Sequence, residues 1–344
     1  MNANSRFNWP IIGHEKIKRF LEKCVANSSF AHAYLFHGPE MSGKMALAKA
    51  FSASLLCENF RLLSEKKENL TLPCGVCSPC RQFQKKIHPD FYIVEKEVNE
   101  KTGQKKNAIS VSQIRALLEK ISKRSFSNSF KIIIFPEADA LNEEASNCLL
   151  KSLEEPPART IYILIALQKD ALLPTILSRM QTFKFLPVPK ETIYQYLMVN
   201  GANRDAANSI SRIAVGRPTA AVDLFANAEK FRRAREEKRE LLKFFTGGIV
   251  ERFQLVESFI NENHEQDAML SKLDQLEIIA RDILLFSFQA KDLAVCEFLG
   301  DELTRLAAGN SAADLTNFIF QIAATKRYLR ANVNARLALE NLVI

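Results

Sequence analysis

The sequence predicts an α/β fold built on a parallel sheet, followed by an all-α remainder. Three observations carry this. From about residue 14 to 186, segments of helical period alternate with short β-rich apolar runs, the pattern of a parallel sheet wrapped by helices. A glycine- and lysine-bearing loop, "GPEMSGK", joins the first of those runs to a helix. Beyond residue 186 the helical period continues without a convincing strand.

The elements follow in order. "AYLFH" reads as a first strand, and "MALAKAFSASLL" (45–56) as the helix after the loop. "FYIV", "KIIIF", "TIYILIA" and "TFKF" read as buried strands, being short, apolar and β-branched or aromatic. Between them lie the amphipathic segments "VSQIRALLEKISK" (111–123) and "NEEASNCLLKSLEE" (142–155). The second must stop at Pro156-Pro157, which cannot continue a helix. "PKETIYQYLMVN", "RDAANSISRIAV", "LSKLDQLEIIARDILLFSF" and "ADLTNFIFQIAATKRYLRANV" supply the helices of the second half. Two polar, charge-rich stretches, 61–73 and 95–107, read as surface excursions.

Bulk composition narrows the class. A chain of 344 residues calls for two or three cores. Apolar residues at 47% and charged residues at 25% exclude a disordered chain, and no apolar run approaches a membrane span. The first ten residues lack a signal peptide's apolar core, so a cytoplasmic location and no membrane partner are expected. A net charge of +8 favours an acidic partner if the charge is gathered on one face. The densest run, "EKFRRAREEKRE" (229–240), instead mixes signs at helical spacings such as Glu229/Arg233 and Arg232/Glu236, as a solvated face does.

"GPEMSGKM" matches the phosphate-binding pattern G-x-x-x-x-G-K-[ST] at Gly38, Gly43 and Lys44. Met45 replaces the hydroxyl that would hold magnesium. In "KIIIFPEADAL", Pro136 stands where a strand-end aspartate would provide the second anchor, with Glu137 beside it. Misplacing a catalytic metal costs about 10³-fold or more, so little or no ATP hydrolysis is expected here. Two other readings stand alongside: the glycines form only a tight turn, or nucleotide binds without being cleaved.

"CGVCSPC" spaces Cys74, Cys77 and Cys80 as three candidate thiolate ligands, with Cys57 upstream as the fourth. Four thiolates suit a closed, structural tetrahedral Zn2+ site. The rival iron–sulfur pattern would need a cysteine at Gln84. Packing accounts better for Cys24, Cys148 and Cys296, and a disulfide framework is not expected in the cytosol.

Together "IIGHEKIKRFL", "HAYLFHGPEMSGK", "CGVCSPC", "HPDF", "ISVSQIRAL", "KIIIFPEADALNEEASNCLLKSLEEPP", "LLPTILSRMQTF" and "ANVNARLALENL" make the chain resemble the delta-prime subunits of the bacterial DNA polymerase III clamp loader, members of the AAA+ superfamily. The likeness implies a RecA-like AAA+ domain (1–186) with a zinc module at about 57–80, a small helical lid (187–227) and an all-α collar for oligomerisation (228–344). It implies a non-hydrolysing platform in a hetero-pentamer with the delta subunit and the ATP-binding gamma/tau ATPase subunits, which together load a sliding clamp on primed DNA. The family's Ser-Arg-Cys motif falls on Ser178, Arg179 and Met180, so Arg179 is expected to act in trans as an arginine finger. Without that likeness, Arg179 reads equally as a surface arginine closing a helix. Sensor positions map onto Ala166 and, near Arg217, onto Thr219. The competing readings are an active motor ATPase and a free-standing DNA-binding protein.

Overall fold

The computed structural model describes residues 6–62, 70–98, 103, 105–123, 125, 130–262, 266–331 and 333–343. The two polar stretches fall partly outside them, at 63–69, 99–102 and 104. The chain divides into two compact units, Met1–Thr192 with Arg217–Thr219, and Ile193–Gly216 with Ala220–Ile344.

The first unit runs α1 (Glu15–Ala26), β1 (Ala33–His37), α2 (Lys44–Leu56), α3 (Glu58–Leu62), α4 (Ser78–Gln84), β2 (Phe91–Ile93), α5 (Val111–Ser122), β3 (Lys131–Phe135), α6 (Glu143–Glu154), β4 (Thr160–Ala166), α7 (Pro174–Leu177) and β5 (Gln181–Lys184). All five strands are parallel, in the order β2-β3-β4-β1-β5. Every residue of β3 and β4 is buried, because helices cover both faces and leave no side of these strands for water. Side-chain alternation sorts them. Tyr34, Phe36, Ile132, Ile134, Ile161, Ile163 and Ile165 pack with Leu21, Val25, Leu47, Phe51 and Leu55 of α1 and α2. Leu35, Ile133, Phe135, Tyr162 and Leu164 pack on the other face with Ile114, Leu117, Ile121, Leu149 and Leu153 of α5 and α6.

Local signals set the helix ends. Ser110 and Gln113 close a reciprocal capping box on α5, and the Asn142 side chain accepts the Ala145 N–H at the start of α6. α6 ends at Glu154, just before the two prolines. Strand order decides where a ligand would sit. From β1 the chain crosses to the far edge at β2, returns through β3 and β4, then passes over β1 to β5. The switch point therefore lies beyond the C-terminal end of β1, where such sheets open a crevice. The glycine-lysine loop occupies that place.

The second unit is helical, as expected. It holds most of α8 (Lys190–Val199) and of α10 (Pro218–Ala226), and α9 (Arg204–Ile213). α11 (Ala228–Leu241), α12 (Lys243–Thr246), α13 (Ile249–Glu262), α14 (Gln266–Ser287), α15 (Gly300–Gly309), α16 (Ala312–Arg330) and α17 (Ala335–Glu340) complete it. Its core centres on Leu273, Leu276, Ile279 and Ile283, a stripe of helical spacing on α14, packed with Leu303, Ile322 and Leu339. Lys326 of α16, nearly buried, pairs with Asp274 at 2.5 Å and with Glu277, both on α14. On α11 the mixed run forms the ladder its spacing predicts: Arg233 to Glu229 at 3.2 Å and Arg232 to Glu236 at 3.7 Å, all exposed.

Candidate functional site

The loop after β1 takes its shape from two glycines. Gly38 has φ 139° and Gly43 φ 98°, values that side chains disfavour. A Cβ on Gly38 would lie 2.2 Å from the Phe185 carbonyl oxygen. The Gly38 N–H points to the Ala166 and Leu167 carbonyls at 3.3 and 3.2 Å, so this loop is fastened to the end of β4. Ala166, expected at a sensor position, offers only that backbone acceptor. Met41 accepts the Thr219 N–H at 3.0 Å, which ties the second sensor position to the loop through its main chain.

Lys44 opens α2 and is 6% exposed. Its Nζ donates to the Gly38 and Pro39 carbonyls, each at 2.5 Å. Two of its three protons therefore go to the loop itself. Burial lowers Lys44 to about 8, against the opposing pull of Glu40 and Asp139. These two carboxylates were not picked out from the sequence, although Asp139 lies two residues past Glu137. His14 Nε2 donates to the Ser42 carbonyl at 2.8 Å, and burial lowers its pKa, which suits a neutral ring.

Neither magnesium anchor is replaced in kind. The Met45 side chain is partly buried and packs against the apolar core beneath the loop. Pro136 follows β3 and offers no side-chain oxygen. Glu137 lies 3.6 Å from Lys96 Nζ, an ion pair that competes with any role in aligning water.

At the other end of α2, Cys57 meets Cys74, Cys77 and Cys80. All four sulfurs lie within 4.8 Å of one another, with Cys57–Cys77 and Cys74–Cys80 each at 3.9 Å. Zn–S bonds of about 2.3 Å in a tetrahedron give edges of about 3.8 Å, so the donor set fits a single tetrahedral ion. The thiolates of an iron–sulfur cluster are divided among two or four irons, and those on different irons stand farther apart than the ligands of a single ion. The Cys74 and Cys77 N–H groups point at the sulfurs of Cys57 and Cys74, both at 3.4 Å. Hydrogen bonding from Cys80, aided by backbone N–H groups, outweighs burial and holds Cys57 below the usual thiol range, while the same contact and burial push Cys80 up. Such donors stabilise the thiolate a metal requires. Cys296 is fully buried in the helical core and Cys148 packs against the sheet's second face.

Arg179 lies two residues past the end of α7, after the C-cap Ser178. Its Nη1 donates to the Thr175 carbonyl at 2.7 Å and to Ser178 Oγ at 3.1 Å, while Nη2 meets Glu154 Oε1 at 2.6 Å. The side chain is 35% exposed, within reach of a neighbouring molecule. It does close a helix end, as the plainer reading holds, and part of its side chain stays open to solvent. The Glu154 contact was not anticipated from sequence. Phosphate loop, cysteines and Arg179 thus form three separate constellations, and the predicted residues fall together only within each.

Comparison with known proteins adds independent findings. The family described as "DNA polymerase III, delta subunit" matches residues 13–189. The delta-prime subunit of DNA polymerase III from Bacillus subtilis is 28% identical over 333 residues, 96% of this chain and 94% of that protein. The tau subunit from the same organism is 30% identical over 183 residues, 53% of this chain and 30% of that protein. A solved gamma-subunit-related protein of DNA polymerase III from Thermotoga maritima aligns at TM-score 0.47 and 21% identity, over 96% of each chain.

Proposed function

The chain belongs to the DNA polymerase III delta-subunit family as a clamp-loader subunit of the delta-prime type, and from that premise we propose that it is the non-hydrolysing member of its complex. In this reading it assembles with gamma/tau ATPase subunits and a delta subunit into a hetero-pentamer in the cytoplasm. It helps load a sliding clamp on primed DNA and supplies Arg179, set by Ser178, to the ATP of a neighbour. The lid (187–227) and collar (228–344) belong to the same proposal, with the collar joining the subunits.

The observation that carries it is the position of Met45, whose partly buried side chain packs against the core, while Pro136 follows β3 directly. A magnesium ion on a bound triphosphate would find neither the hydroxyl nor the aspartate that normally hold it. Lys44 turned onto two carbonyls supports the same view. Cys57, Cys74, Cys77 and Cys80 would hold Zn2+ in a closed site whose role is structural.

A second reading, an active motor subunit, is favoured by the tau likeness and by the intact Gly38, Gly43 and Lys44. ATP turnover separates the two. The purified chain should release no phosphate above background, and in the reconstituted complex Arg179→Ala should slow the neighbour's hydrolysis by about 10³-fold or more. Turnover by the chain alone at a motor-like rate would establish the second reading.

A further inference from the structure

We propose that Glu154 is a positioning residue for Arg179, holding its guanidinium in the orientation from which it meets a phosphoryl group on an adjoining subunit. This rests on the arginine-finger reading above. The carboxylate and the cation come from different elements: Glu154 ends α6, and Arg179 follows α7. Their contact, at 2.6 Å, fixes one edge of the fork. The Thr175 carbonyl and Ser178 Oγ fix the other.

The count of donors leaves the finger usable. A guanidinium carries five N–H groups in a rigid plane. Three are used by Thr175, Ser178 and Glu154. Among the described residues no hydrogen bond takes the Nε–H or the second Nη2–H, so two donors remain for a phosphate while the side chain stays held. Holding matters because a free arginine must give up rotamer freedom on forming its contacts.

Glu154 is also placed against a local rule. A carboxylate in the last turn of a helix faces the negative end of the macrodipole, which disfavours it. The Arg179 cation offsets that cost. A residue that breaks a local preference and is compensated by one specific partner marks a site with a task beyond helix formation. The pair is half-exposed, so its strength is modest, and the expected effect is a few-fold change in rate.

The test uses the fully assembled complex with Glu154→Ala, Glu154→Gln, Arg179→Ala and the double substitution E154A/R179A, with assembly checked by gel filtration. Glu154→Ala should lower kcat for ATP hydrolysis by about three- to fivefold with KM little changed. Glu154→Gln, which keeps the Oε1 acceptor, should recover most of the rate. The double variant should be no slower than Arg179→Ala. If Arg179→Ala is slow while Glu154→Ala runs at the wild-type rate, or if the two losses multiply, the role assigned to Glu154 is wrong. A wild-type rate for Arg179→Ala would instead overturn the finger reading itself.

Discussion

At Lys44 an ammonium group of the kind that grips phosphate is folded back onto its own loop, and this has a measurable signature. Its pKa in the folded chain, about 8, lies below the ordinary 10.5. The protonated form is therefore disfavoured by folding, fully so below pH 8, and the cost disappears as the proton is lost between pH 8 and 10.5. Relative to Lys44→Met, the wild-type protein should gain about 1–3 kcal/mol over that window. The chain's one tryptophan, Trp9, is buried and bonded to Ser54 of α2 at 2.8 Å, so denaturant melts followed by its fluorescence report this unit. A difference that stays flat with pH would refute the shift. The same melts should show Gly38→Ala destabilised by about 2 kcal/mol or more, since the added methyl meets the Phe185 carbonyl at a positive φ. Gly38, Gly43 and Lys44 could be read from the sequence because motif spacing is local, whereas Arg179 was singled out only by the family resemblance of its Ser-Arg-Met context. Asp139 and Glu154 could not, because their partners lie far along the chain and only the packed fold brings them together.

Secondary structure was legible wherever pattern and punctuation agreed. β3 and β4 are largely apolar runs, α5 and α6 begin just after the caps Ser110 and Asn142, and α6 stops ahead of two prolines. Replacing Asn142 by Ala removes the acceptor for the Ala145 N–H and should cost about 1 kcal/mol in a denaturant melt. The pairing order of the strands was not legible, since apolar strands of similar length carry no label for their neighbours. For the cysteine knuckle, metal analysis of the purified chain should give one zinc per molecule. Serine at Cys57, Cys74, Cys77 or Cys80 should lower that stoichiometry, and serine at Cys148 should leave it intact. Retention of full zinc by Cys57→Ser would remove it from the ligand set.

Across the whole chain the net charge of +8 is not matched by a field of free cations on α11, where Arg232 and Arg233 are paired with Glu229 and Glu236. The isolated protein should accordingly bind duplex DNA weakly in a titration at physiological salt. Tight binding with a steep dependence on salt would support the free-standing DNA-binding alternative. The first unit is also spanned by one element with a duty at each end, because α2 starts at Lys44 and stops one residue short of Cys57. Those 13 residues measure about 20 Å at 1.5 Å per residue. Each residue also advances the screw by about 100°. Removing any one amino acid from the middle of that rod, even an alanine touching neither end, would swing the first sulfur a quarter-turn out of its tetrahedron. A frame of that kind fixes helix length as strictly as it fixes the four ligands.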